Sequence, residues 1–307
     1  MRSEQTTVTI APEPIPNWAV EAVIAGGAVV GPAETADAIV WLSHGSRGLP
    51  ELLERAANAR WIQLASAGIE WLFQEDVYRP ERVWTCAKGA YGTNAAELAV
   101  TLLLCAYRDM KRFLRAETWL SEGGRNLKGQ HIGVIGTGGV GRNVLALLAP
   151  FDVRLTAFNL NGATVPEADR TLLVENLGRE IGTLDAVVVA APLTKRTEGL
   201  IDSTMLGAMK PSAWLINVAR GRLVDTNSLV EALKGGRIAG AALDVTEPEP
   251  LPDGHPLWSI ENCIITPHVA NTLGMSPGPY RERIEENVRR FVEGKDLEAI
   301  VDGTLQY

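Results

Sequence analysis

Three polar positions late in the chain carry the residue types that proton and hydride chemistry requires. Arg220 stands in Asn217-Val218-Ala219-Arg220-Gly221, at the end of an apolar run at 214–218. Asp244, Glu247 and Glu249 stand in Asp244-Val245-Thr246-Glu247-Pro248-Glu249-Pro250, after the run at 238–243, and His268 follows the run at 264–266. A guanidinium is a forked, permanently charged donor for a carboxylate and the carbonyl beside it. An imidazole can protonate a developing alkoxide, and a neighbouring carboxylate stabilises the imidazolium and raises its pKa. The set suits reduction of a 2-oxo acid. Singly, each residue has a structural alternative: a surface arginine, a histidine satisfied in a loop, a proline-rich turn. Their shared position after apolar runs is what makes them candidates.

A second set of residues suits a nucleotide. The run 131–135 is short, apolar and β-branched, and it ends in Gly136-x-Gly138-x-x-Gly141 with a helical pattern at 142–148. Strand, glycine turn and helix together are the context for dinucleotide binding. Gly136 permits the turn, Gly138 lets backbone approach a pyrophosphate, and Gly141 lets helix and strand pack closely. With Gly139 and Val140 between them, these residues form the candidate phosphate turn at a helix N-terminus. The alternative is a tight turn in a strand-rich domain. The next strand, 153–158, ends at Asn159, where an acidic residue would be expected to hold the adenosine ribose. Neutral Asn159 can bond a ribose hydroxyl and does not repel a 2′-phosphate, and no arginine follows it, so NAD or NADP are both expected.

The elements that must position these residues read as alternating strands and helices. Runs at 7–10, 38–42 and 61–65 are strand-like and 52–59 is helical, which implies a small parallel α/β domain of its own. Asn94 with Glu97 three residues later reads as a capping box that starts a helix over 95–113. Runs at 186–190 and 214–218 are continuously apolar, as in strands covered on both faces. Polar residues follow each strand at its carboxyl end, where an open parallel sheet binds ligands. After Pro267 the segment N-T-L-G-M-S-P-G-P at 271–279 is expected to turn into a charged helix over 280–293.

Composition narrows the class. The 307 residues favour two domains, with 46% hydrophobic and 21% charged residues as in ordinary globular proteins. A net charge of −8 argues against nucleic acid or an anionic membrane surface as partner. No run reaches membrane-spanning length, and the opening M-R-S-E-Q-T-T lacks the apolar core of a signal peptide. Cys86, Cys105 and Cys263 are odd in number and far apart, so neither a disulfide framework nor a metal site is expected, and a cytoplasmic location is.

Taken together, the motifs resemble the D-isomer-specific 2-hydroxyacid dehydrogenases over almost the whole chain. They are the glycine fingerprint, P-L-T-x-x-T at 192–197, I-N-V-A-R-G-R-L-V-D at 216–225, A-A-L-D-V-T-E-P-E-P at 241–250, H-P-L-W at 255–258 and T-P-H-V-A-N at 266–271. By that resemblance Arg220 binds and polarises substrate, His268 is the general acid/base, and Glu249 is its partner, with Glu247 the runner-up. Asp244 would lie near the nicotinamide, Val218 and Ala219 would line its pocket, and Pro192 and Thr197 would line the ribose side. Ala67-Gly68-Ile69 matches the loop whose backbone N–H groups hold the substrate carboxylate. His44 is a weaker pocket candidate, and Trp119 falls where relatives place an aromatic near a subunit contact.

The resemblance also implies a Rossmann-type doubly wound sheet inserted in a flavodoxin-like substrate domain. The expected division is 1–94 and 271–307 for the substrate domain and 95–270 for the NAD(P)-binding domain, with substrate in the cleft and water excluded on closure. The expected activity is reversible NAD(P)H-dependent reduction of a small 2-oxo acid, glyoxylate or hydroxypyruvate-like, to the D-2-hydroxy acid, in a homodimer. An added regulatory domain is not expected in a chain of this length. An NAD(H)-sensing co-regulator of the same fold is the alternative from another class. A hydrolase using NAD fits the glycine turn but not the three-loop constellation.

Overall fold

The computed structural model describes residues 5–272, 275 and 277–306. Leu273, Gly274 and Ser276 of the expected turn at 271–279 lie outside the described residues. The chain divides into two compact units, Met1–Tyr91 with Thr272–Tyr307, and Gly92–Asn271.

The first unit is built on five parallel strands, β1 (Thr7–Ala11), β2 (Val29–Val30), β3 (Ala38–Trp41), β4 (Trp61–Leu64) and β5 (Val83–Thr85), in the order β2-β1-β3-β4-β5. This is the flavodoxin-like order. Helices α1 (Asn17–Ala25), α2 (Leu49–Arg55) and α3 (Glu70–Gln74) connect the strands. Strands β3 and β4 are buried at every residue, which is why they read as apolar runs, broken only by Gln63 in β4. Helix α2 starts three residues before the expected 52, because Gly48 enters with φ +84 and Pro50 fits the first helical turn. The C-terminal helix Pro277–Val292 starts on a proline, ahead of the expected 280. It is tied to the sheet through Gln63, whose Oε1 accepts from Thr85 Oγ1 (2.9 Å) and Asn287 Nδ2 (2.8 Å). Such a buried polar network is stable because each member is satisfied.

The second unit opens with α4 (Gly92–Tyr107) and α5 (Met110–Leu114). Two expectations are corrected here. Asn94 is not an N-cap: it lies inside α4, and its Nδ2 donates to Asn271 Oδ1 at 2.8 Å. The helix starts earlier because Gly92 packs flush against the glycine turn, where a Cβ would stand 3.0 Å from the Gly139 carbonyl carbon. The helix also does not run unbroken to 113. Asp109 takes φ +50, and its carboxylate accepts Gly124 N–H at 2.9 Å, which separates α4 from α5.

Seven parallel strands follow: β6 (His131–Ile135), β7 (Arg154–Asn159), β8 (Arg170–Leu173), β9 (Ala186–Val189), β10 (Trp214–Asn217), β11 (Gly240–Leu243) and β12 (Cys263–Ile265). Helices α6 (Gly139–Leu148), α7 (Leu177–Glu180), α8 (Ser203–Ala208), α9 (Thr226–Lys234) and α10 (Pro256–Ser259) are interleaved with them. The strand order is β12-β11-β10-β9-β6-β7-β8. It reverses direction between β6 and β9, so a crevice opens outside the carboxyl end of β6, at the glycine turn. The fold is therefore the expected Rossmann-type α/β sheet. Strands β2, β5 and β8 carry too few apolar residues in sequence to stand out. No helix among the described residues is long and apolar enough to cross a membrane.

Candidate active site

Within the second unit, the carboxyl ends of β6, β7, β9, β10, β11 and β12 carry nearly all the candidate residues. At β6, Gly136 takes φ +93, and a Cβ on it would meet the backbone of Ala190 and Ala191 at 2.7 Å. At Gly138 the opposite holds: a Cβ there would meet nothing within 4 Å. Backbone at Gly138 thus borders open space at the start of α6, the cradle a pyrophosphate needs. Gly141 completes the turn by packing helix on strand.

The flanking loops are closed by their own side chains. Asn159 Oδ1 accepts Gly162 N–H (2.7 Å) and its Nδ2 donates to Ala163 O (2.9 Å), so its amide shapes the loop after β7. Thr197 Oγ1 donates to Pro192 O (2.7 Å) and accepts Thr194 N–H (2.8 Å), folding 192–197 into a compact turn after β9. After β10, Asn217 Oδ1 accepts Ala219 N–H (3.0 Å) and Nδ2 donates to Arg220 O (2.9 Å), which leaves Val218 and Ala219 on a defined arc and aims Arg220. Asn217 is buried, so this polar pairing is a structural requirement as well.

Arg220, Glu249 and His268 come together from three loops. His268 Nδ1 lies 2.6 Å from Glu249 Oε1. That bond is the main reason the His268 pKa is raised, with partial burial opposing it. The reciprocal effect of His268 lowers the pKa of Glu249, against its own burial. Arg220 is near enough for its charge to act on both, favouring the Glu249 carboxylate and disfavouring the imidazolium. Asp244 adds a weaker field that favours the imidazolium. Glu247, by contrast, uses its backbone carbonyl to accept Thr226 Oγ1 at 2.8 Å. The loops carrying these groups are in contact: a Cβ on Gly221 would stand 1.9 Å from Thr246 O.

Ala67, Gly68 and Ile69 belong to the first unit, between β4 and α3, as does His44. Ile69 is buried in that unit's core. Trp119 is 98% exposed. Two residues with a clear structural part were quoted in the motifs without one, Asn217 and Thr266. The signal was available: a polar side chain directly after a buried apolar run must find a partner.

Residues 99–270 match the family model of the D-isomer specific 2-hydroxyacid dehydrogenase, NAD binding domain. This chain belongs to that family. It is similar to the uncharacterized protein in the proB 3′ region of Corynebacterium melassecola, 36% identical over 292 residues, covering 93% of this chain and 95% of that protein. A glyoxylate reductase of Thermofilum pendens is 32% identical over 266 residues, covering 82% of this chain and 77% of its own. Among solved structures, a D-isomer specific 2-hydroxyacid dehydrogenase from Xanthobacter autotrophicus Py2, in complex with NADPH and MES, superposes with a TM-score of 0.86 at 27% identity, covering 99% of both chains. Family membership makes the protein a 2-hydroxyacid dehydrogenase, an oxidoreductase with a dinucleotide-binding domain. The open glycine cradle at Gly138 fits that cofactor.

Proposed function

We propose that this protein reversibly reduces a small 2-oxo acid, of the glyoxylate or hydroxypyruvate class, to the D-2-hydroxy acid with NADH or NADPH. The observation that carries the reading is the 2.6 Å contact of His268 with Glu249, which holds an imidazole protonated above its ordinary range in reach of the Arg220 charge.

Gly136, Gly138, Gly139, Val140 and Gly141 would hold the pyrophosphate, with Asn159, Pro192, Thr197, Val218, Ala219 and Asp244 along the rest of the cofactor. When bound, the reduced cofactor supplies the hydride. Arg220 binds the substrate carboxylate and polarises the adjacent carbonyl oxygen. His268 gives a proton from Nε2 to that oxygen as it becomes an alkoxide, while Nδ1–H stays on Glu249, which stabilises the imidazolium beforehand. In the reverse direction neutral His268 accepts the hydroxyl proton. Ala67-Gly68-Ile69 is the candidate loop for the substrate carboxylate. The neutral loop beginning at Asn159 supports use of either cofactor, and the NADPH-bound relative from Xanthobacter is consistent with the phosphorylated one. The Thermofilum glyoxylate reductase supports a small acid.

Exposed Leu114 and Trp119 support a homodimer contact on the α5 side of the second unit, and three free cysteines support a reducing, cytoplasmic setting. The decisive experiment follows nicotinamide absorbance with a panel of 2-oxo acids and both cofactors. Turnover of glyoxylate or hydroxypyruvate is expected; tight cofactor binding without turnover of any acid would overturn the reading. Light scattering of the purified protein tests the dimer.

A further inference from the structure

Asp244 is 1% exposed, and its carboxylate is engaged almost entirely by one short segment of chain. Oδ1 accepts from Thr266 Oγ1 at 2.6 Å and from Val269 N–H at 2.9 Å, and Oδ2 accepts from Ala270 N–H at 3.0 Å. The backbone of Asp244 takes part too: its carbonyl accepts His268 N–H at 2.8 Å, and its N–H donates to Asn217 O at 2.9 Å. Residues 266–270 are thus wrapped around a single buried carboxylate.

The residue at the centre of that segment is His268, at φ +51. A non-glycine residue in the left-handed region persists only where its surroundings enforce it. The His268 N–H at this position is shared between the Asp244 carbonyl at 2.8 Å and the Thr266 carbonyl at 3.1 Å, and the imidazole leaves the chain from that backbone to meet Glu249. A carboxylate has about four acceptor positions, and three are filled by this segment. Most of the hydrogen bonding of the Asp244 carboxylate thus goes to the histidine loop.

We propose that Asp244 and Thr266 form a clamp that positions His268 for proton transfer, Asp244 acting through the backbone of 268–270 and Thr266 by locking the carboxylate in place. Both are positioning residues. The proposal rests on the reading of His268 as the acid/base. Thr266 is the informative member because its hydroxyl is the one donor of the three that a substitution can remove without changing charge.

The test compares Thr266→Val, Thr266→Ala and Thr266→Ser in the full-length protein, with His268→Ala as reference. Three quantities are measured: kcat for reduction, the dissociation constant of NADH or NADPH by fluorescence, and the His268 imidazole titration by NMR. The groups facing that imidazole are Glu249, Arg220 and Asp244. Removing the hydroxyl is expected to lower kcat at least about tenfold, as small misplacements of reacting groups do. Cofactor affinity should stay within about twofold, and the His268 titration should move to lower pH as the bond to Glu249 loosens. Thr266→Ser should restore all three. Thr266→Ala carries the same test if the valine variant does not fold. Unchanged kcat and titration in both hydroxyl-free variants would overturn the clamp, and so would weakened cofactor binding as the only effect. Full activity in His268→Ala would instead sink the acid/base reading, whereas its collapse alongside wild-type Thr266→Val would sink the clamp alone.

Discussion

A Cβ placed on Gly141 would stand 1.8 Å from the carbonyl oxygen of Gly136. No side-chain adjustment relieves a clash between a helix and the backbone of the turn that feeds it. Gly141→Ala should therefore lower thermal stability and abolish cofactor binding together. Gly138→Ala meets no protein atom within 4 Å, so its melting temperature should match wild type while its cofactor affinity falls. Equal loss of stability in both variants would contradict the assignment of the open cradle to the pyrophosphate.

Glu249→Gln should expose the electrostatic part of the pair. The Glu249 bond raises the His268 pKa, and in the proposed mechanism reduction needs the imidazolium, so wild-type reduction should persist above the ordinary histidine range and be lost as pH rises through the raised value. With the charge gone, that limb should move to lower pH. The same sign governs stability: the contribution of His268 disappears as pH rises past its raised pKa, and that of Glu249 disappears as pH falls through its lowered one. A pH–rate profile of kcat/KM identical to wild type would remove Glu249 from the proton-transfer pair.

Arg220→Ala should raise KM and lower kcat at once, because the carboxylate loses its anchor and the carbonyl its polarisation. A loss of at least about a hundredfold in kcat/KM is expected, the usual cost of one charge-stabilising donor. Lysine should restore it only partly, since a point charge does not replace a fork. His268→Ala should instead act on kcat, with cofactor affinity retained. A normal KM in Arg220→Ala would place the guanidinium outside the site.

His131 gives a separate pH effect, on folding. Burial is the main cause of its lowered pKa, and Nε2 is 2.9 Å from Thr156 Oγ1. The fold disfavours the charged form of this ring, whereas the unfolded chain takes up a proton near its ordinary value of about 6.5. Stability from this group is full above that value and falls as pH drops through it towards the lowered one. His131→Gln should flatten that part of the melting-temperature profile. An unchanged slope would mean that other groups set the acid sensitivity.

The runs at 131–135, 186–190 and 214–218 are legible in sequence because strands covered on both faces are built mainly of apolar residues, with His131 and Asn217 the buried polar exceptions. The glycine turn is legible for a related reason: its spacing reflects local backbone geometry, and three of its positions tolerate no side chain or leave room for a ligand. Polar residues after each strand announced where ligand chemistry belongs. Those signals are local in the chain, so one sequence suffices to read them.

What only the tertiary structure decided are contacts between residues distant in sequence. Asn94 and Glu97 have the spacing of a helix start, yet α4 begins at Gly92 because that glycine packs against the Gly139 backbone. Asp109 breaks a pattern that looks continuously helical, because its carboxylate is engaged by Gly124. The side chain of Asn159 turns back onto its own loop. The left-handed backbone of His268 and the three bonds converging on Asp244 leave no trace in residue type or period. Local pattern determined which strands and turns form. Packing between strand ends determined which side chains meet there, because hydrogen-bond partners are chosen by proximity in the folded chain rather than along it.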